Sequence, residues 1–125
     1  MDMEIISSYS RAQAIEDGVL VDASSMAREA GFTFPVAITD TVWSLYVKVP
    51  DGVFGQDEQG RLWDILNVLR FDIARRKNEE ENDIILFTVL VKNDNSQPKT
   101  VKLKAVCGPG DDPKPVITIM LPEED

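Results

Sequence analysis

The stretch CGPGDDPKP, residues 107–115, sits between two apolar runs and holds the only cysteine of the chain. A thiol there works as a nucleophile only as a thiolate, and Lys104 or Lys114 would have to stabilise it. Gly108 and Gly110 expose backbone amides of the kind that cradle anions. Against a phosphate site, no helix follows, the GxxxxGK[ST] pattern is missing, and Asp111 and Asp112 repel phosphate. The stretch therefore reads as a tight turn that sets the register of the following strand. Cys107 then packs as a small apolar residue at a strand end. Asp111 and Asp112 accept bonds from nearby amides, and their exchange for Asn is expected to leave the fold intact.

The 125 residues contain no histidine. That removes the Ser-His-Asp triad, the Cys–His pair and histidine acid–base work. It also removes His-ligated zinc, and one cysteine cannot build a thiolate zinc site within one chain. A metal would need carboxylates, hence magnesium, calcium or manganese. DGVFGQDEQG and NDNSQP are the candidates, and neither has the calcium-loop spacing. No metal and no cofactor is expected. One group could still do chemistry. Tyr9, Arg11, Asp17 and Asp22 converge if the first two helices and the VLV segment fold back on each other. They are the catalytic candidates of an enzyme using carboxylate, tyrosine or arginine chemistry. Asp57, Glu58, Arg61 and Asp64 flank the longest helical pattern and read as an acidic first turn with an i,i+3 Arg61–Asp64 pair.

The formal charge is −9, with 13 basic and 22 acidic residues. That balance disfavours direct nucleic-acid binding, which needs a basic footprint. It favours basic protein partners. The candidate partner-binding residues are the acidic clusters: Glu79, Glu80 and Glu81 beside Asp83; Glu123, Glu124 and Asp125 at the end; and Asp111 and Asp112 in the turn. Direct DNA binding would require Lys99, Lys102 and Lys104 to form one patch with Arg75 and Arg76. Trp43 and Trp63 fall on different helices, and an exposed one would anchor a protein interface.

The elements that must position these residues follow from the pattern. Ser10 caps a short helix through AQAIED, ended by Gly18. VLV at 19–21 is short and extended. Asp22 or Ser24 caps a second helix through SMAREA, closed by Gly31. Phe32, Phe34 and Pro35 form an extended apolar link, and Thr39 caps a third helix, DTVWSLYV. Pro50 to Gly60 is a loop. RLWDILNVLRFDIARR is the strongest helix, with Leu62, Leu66, Leu69 and Ile73 on one stripe. The period then changes. IILFTVLV, TVKLKAV and VITIML are strand-length runs joined by NDNSQP and GPGDDPKP.

This predicts one α+β domain over residues 1–125: about four helices, then a three-stranded antiparallel meander, with the helices packed on one sheet face. Residues 1–8 are expected to be flexible, 9–76 mainly helical, 84–121 the meander and 122–125 an acidic tail. No apolar run approaches the ~18 residues of a membrane span. The acidic, polar start MDMEIISSYSR is unlike a signal peptide, and a lone cysteine suits a reducing compartment, so cytoplasmic residence is expected.

Four blocks carry a resemblance: YSRAQAIEDGVLVD; AREAGFTFPVAIT with VW following; DEQGRLWDIL; and KAVCGPGDDPKPVITIMLPEED. From Tyr9 to Asp125 the chain resembles a family of uncharacterised bacterial proteins carried on plasmids, phages and integrative elements. The resemblance implies a genomic setting and carries no site over. The resulting expectation is a small acidic mobile-element protein that is not an enzyme and acts by protein–protein binding. Its expected partner is a nucleic-acid-handling host defence complex, inhibited as an anti-CRISPR or anti-restriction protein would do. The alternatives are the enzyme above and a plasmid-maintenance regulator or scaffold, and the chain is expected to be a monomer or a homodimer.

Overall fold

Short strands interleave with the helices from the start of the chain. The structure, a computed structural model, describes residues 9–76 and 83–124. In chain order its elements are α1 (Arg11–Glu16), β1 (Leu20–Asp22), α2 (Ser24–Ala30), β2 (Val36–Thr39), α3 (Asp40–Val42) leading into a π-helical turn (Trp43–Val47), α4 (Glu58–Arg75), β3 (Ile84–Val91), β4 (Lys99–Pro109) and β5 (Pro115–Met120). The five strands form one mixed sheet in the order β1-β2-β5-β4-β3. Pairs β1–β2, β3–β4 and β4–β5 are antiparallel, whereas β2 and β5 run parallel, with Ala37 opposite Thr118.

The predicted three-stranded antiparallel meander is thus overturned. β3, β4 and β5 are one part of a larger sheet, and the stretch 9–76 supplies two further strands. β2 escaped the pattern reading for a physical reason. Val36, Ala37 and Ile38 are all fully buried, because β2 is an internal strand covered on both faces. Such a strand shows no polar–apolar alternation. Its parallel partner also lies too far along the chain for any local signal. The third helix is corrected as well: after one turn it widens, and the Lys48 amide donates to the Trp43 carbonyl at 2.8 Å.

Side-chain alternation sorts the sheet into two faces. Phe87, Val89, Leu103, Ala105, Ile117 and Ile119 point to the main core, where Leu62, Ile65, Leu66 and Leu69 of α4 meet them with Val42, Val47 and Ala27. Full burial of each large aliphatic side chain there contributes about 1.5–3 kcal/mol. Thr118 alternates with Ile117 and Ile119 and faces the other way. α1 lies on that second face, with Arg11 bonded to Thr118. The expectation that all helices pack on one face is therefore also corrected.

One buried charge ties the layers together. Arg61 is 5% exposed. It does not pair with Asp64; its guanidinium donates to the carbonyls of Tyr46 (3.0 Å) and Lys92 (2.7 Å) and to Asn93 Oδ1 (2.6 Å). Asn93 Nδ2 donates in turn to the Leu45 carbonyl at 2.9 Å. Carbonyls at a helix end lack intrahelical partners. Arg61 and Asn93 thus satisfy two of those left at the end of the π-helical turn.

Candidate functional site

The first turn of α1 is held from two directions. Ser10 Oγ accepts from the Gln13 amide at 3.0 Å, as a local cap. Asp111, in the connection between β4 and β5, accepts from the Arg11 amide at 2.6 Å and the Ala12 amide at 3.0 Å. Three of the amides that a helix start leaves open are thereby paired. These two bonds, helped by the Arg11 charge, hold the Asp111 carboxyl below its ordinary pKa. The Arg11 guanidinium donates to Thr118 Oγ1 (2.7 Å) and to the Ile117 carbonyl (2.8 Å). Burial pushes its pKa down, while the charges of Asp22 and Asp111 oppose that shift.

The turn containing Asp111 is tightly built. Gly110 donates to the Lys114 carbonyl at 3.0 Å, and a Cβ at Gly110 would meet Val116 Cγ1 at 2.9 Å. Asp112 closes the same turn by accepting from the Lys114 amide at 2.9 Å. The acidic end of the chain folds back beside it. Glu124 accepts from Thr39 Oγ1 (2.9 Å) and the Leu121 amide (2.7 Å), and its backbone carbonyl accepts from Lys104 Nζ. Tyr9 donates its phenol to Asp17 at 2.7 Å, which raises the phenol pKa.

These contacts border one cleft of about 740 Å³. Tyr9, Arg11, Asp17, Asp40, Asp111 and Glu124 line it, together with Thr39, Thr118 and Met120. Four carboxylates therefore share the surface with one guanidinium. Of the catalytic candidates, Tyr9, Arg11 and Asp17 come together here. Asp22 does not; it accepts from the Ser24 amide at 3.0 Å. Of the partner-binding candidates, Asp111 and Glu124 line the cleft, and Asp112 and Glu123 are exposed. Glu79, Glu80, Glu81 and Asp125 lie outside the described residues, as does residues 1–8. Asp40 was missed from sequence, where it read only as the start of a helix. No local signal places Thr118 in the site.

The geometry limits the chemistry. Two nitrogens of Arg11 are committed to protein acceptors, and Tyr9 is harder to ionise than a free phenol. Among the described residues no group of three His, Cys, Asp or Glu side chains is placed to hold a metal. The NDNSQP loop is structural: Asn95 accepts from the Phe54 amide and donates to the Gly52 carbonyl. What the cleft can do is accept cations.

The remaining candidates lie elsewhere. Cys107 is half-buried in a second cleft of about 480 Å³ that also holds Phe32, Phe34, Ile73 and Ile85. Burial, with the nearby Asp83 charge, pushes the thiol pKa up, opposite to what a reactive thiolate requires. Lys102 and Lys104 point to the face away from α4, whose end holds Arg75 with Arg76 just after it, so these cations do not form one patch. Trp43 packs against the core, whereas Trp63 is 40% exposed. No helix among the described residues is long and apolar enough to cross a membrane.

No curated protein and no solved structure matches the chain. A family match does exist, and it spans residues 1–125. The chain thus belongs to the family of unknown function DUF6573.

Proposed function

We propose that this protein acts without catalysis, by binding the basic surface of another protein through the acidic cleft. One observation carries the reading: Asp17, Asp40, Asp111 and Glu124 surround a single concave surface. Arg11, the one cation among its described lining residues, is tied to neutral acceptors at Thr118 and Ile117. A lysine or arginine of the partner enters as the counterion. Proteins that handle nucleic acid offer such surfaces, because their channels are built for phosphates. The resemblance to proteins of plasmids, phages and integrative elements supports the finer reading. That reading is a counter-defence protein acting on restriction or CRISPR machinery in the cytoplasm, where a lone Cys107 stays reduced.

Affinity capture from a bacterial host lysate tests this, with wild type beside an Asp17→Asn/Asp40→Asn variant. Asn retains an acceptor for Tyr9 and Ser44, so the fold is preserved. Wild type should retain one basic partner, released by salt, and protect an incoming plasmid from host restriction. The variant should lose both. Equal capture by the two proteins, or no partner and no protection, would sink the reading.

A second reading, an enzyme working through Tyr9, Arg11 and Asp17, rests on the Tyr9–Asp17 bond in the same cleft. It replaces the first if Tyr9→Phe abolishes protection while the partner is still captured.

A further inference from the structure

The sheet edge opposite the acidic cleft is unusual for a strand open to water. Among the described residues β3 is the outermost strand on that side. Its eight residues, IILFTVLV, include no charge, no proline and no glycine. Its pairing with β4 runs from Ile84↔Val106 to Val91↔Lys99 without a bulge. Natural edge strands normally carry at least one such device against further pairing. On its outer face Leu86 and Leu90 are 50% and 65% exposed.

α4 adds to the same surface. Trp63, Asn67 and Phe71 recur at i, i+4 and i+8 along one helical stripe. Trp63 and Phe71 are exposed. Asn67 and Thr88 line one shallow groove between α4 and β3, with Trp63, Asp64, Val68 and Leu90.

Both elements place similar apolar residue types on either side of that groove. Around Thr88 the strand reads Leu86–Thr88–Leu90, and around Asn67 the helix reads Trp63–Asn67–Phe71. The two centres are neighbours, so one twofold axis can serve both. In an isologous interface each residue meets the mirror position of the copy, so here apolar side chains would meet apolar side chains.

We propose that the protein forms a twofold-symmetric homodimer through the β3 edge and the outer flank of α4. The two β3 strands run antiparallel, with Thr88 opposite its copy. Leu86 then meets Leu90 of the second copy on the outer face. On the inner face Phe87 meets the copy's Val89, and Ile85 its Val91. On α4, Trp63 packs against the copy's Phe71. The five-stranded sheets join into one.

The areas suit this occupant. Exposed fractions of Trp63, Phe71, Leu86 and Leu90 leave roughly 330–540 Å² of side-chain surface per protomer, at ~150–250 Å² for a large side chain. That is about half of the ~800 Å² per partner of a standard interface, and the paired strand backbone adds to it. β3 itself carries no charge; Asp64 lines the groove, and Lys102 and Lys104 of β4 lie opposite Thr88 and Leu86, so both signs border the contact and the −9 of each chain is not concentrated there. The inference stands apart from the proposed function, because the cleft lies at the other end of the sheet. The dimer would present two clefts and bind a repeated partner bivalently.

Light scattering on a sizing column tests it from about 1 to 100 µM, the range open to an interface of this size. Wild type should show twice the 14.0 kDa chain mass. Leu86→Lys/Leu90→Lys and Trp63→Ser/Phe71→Ser should each give a monomer with an unchanged circular dichroism spectrum. The second variant decides if the first misfolds. In a Cys107→Ser background, Thr88→Cys should form a disulfide-linked dimer on mild oxidation, since facing antiparallel residues lie ~4.5–5.5 Å apart, within disulfide reach. A wild type that stays monomeric over the whole range without cross-linking overturns the proposal. So does a dimer that persists in both folded variants.

Discussion

Arg61 offers the sharpest test of how the layers are held together. Arg61→Ala removes three donors at once, leaving the Tyr46 and Lys92 carbonyls and Asn93 Oδ1 without them. A bond from a charged donor contributes about 1.5–3 kcal/mol when its acceptor would otherwise be dry. Here Asn93 is exposed and Tyr46 and Lys92 are half-buried, so water replaces part of each loss. The net cost should be about 2–4 kcal/mol, a large share of a small domain's stability. Arg61→Met keeps most of the aliphatic stem and should lose nearly as much, which assigns the effect to the bonds. Arg61→Lys offers one compact ammonium in place of a planar fork and should lose about half, roughly 1–2 kcal/mol. Urea unfolding followed by the fluorescence of Trp43 and Trp63 reads these values, provided the slopes agree among variants. A loss within about 0.5 kcal/mol for Arg61→Ala, the range of a neutral surface change, would refute the reasoning.

Asp111 should give α1 a pH dependence. Its folded pKa is depressed by the Arg11 and Ala12 amides, so its contribution is present above the unfolded value of about 3.9 and is lost as pH falls through the folded value. Melting curves should therefore show wild type losing more stability than Asp111→Ala on acidification below about pH 4, and equal acid sensitivity would refute the bond. Cys107 should react slowly with a thiol reagent at neutral pH and at the free-thiol rate in urea, because its pKa is raised by burial. Fast native-state reaction would contradict that placement.

How far the sequence reached depended on how local each signal was. The stripe Leu62, Leu66, Leu69 and the alternation Val101, Leu103, Ala105 are repeats within a single element, and they located α4 and β4. β2 gave no such signal, since Val36, Ala37 and Ile38 are buried on both faces. The site divides in the same way. Tyr9, Arg11 and Asp17 lie within a few residues of each other, and their convergence was legible. Asp111 read as a turn residue, and it is one, but its carboxylate caps a helix 100 residues away in the chain. The expectation was that Asn at positions 111 and 112 leaves the fold intact; the two amide bonds add that Asp111→Asn should weaken the start of α1. Asn has one oxygen where two amides need acceptors. Arg61 read as half of an i,i+3 pair because Asp64 was the only partner visible on its own helix. Its actual partners lie in the π-helical turn and in the connection after β3.

The parallel contact between β2 and β5 has a consequence for the order of assembly. Within the sheet, among the described residues, β5 alone hydrogen-bonds the β1–β2 pair to the β3–β4 pair. During synthesis β2 emerges early and must wait for β5, the last strand made, before its buried middle residues can be covered. Until then the sheet consists of two separate two-stranded ribbons, which are marginal without the helices that cover them. Folding should therefore be late and abrupt, limited by one long-range closure. A chain cut within residues 115–120 should lose the whole fold and not only its final strand.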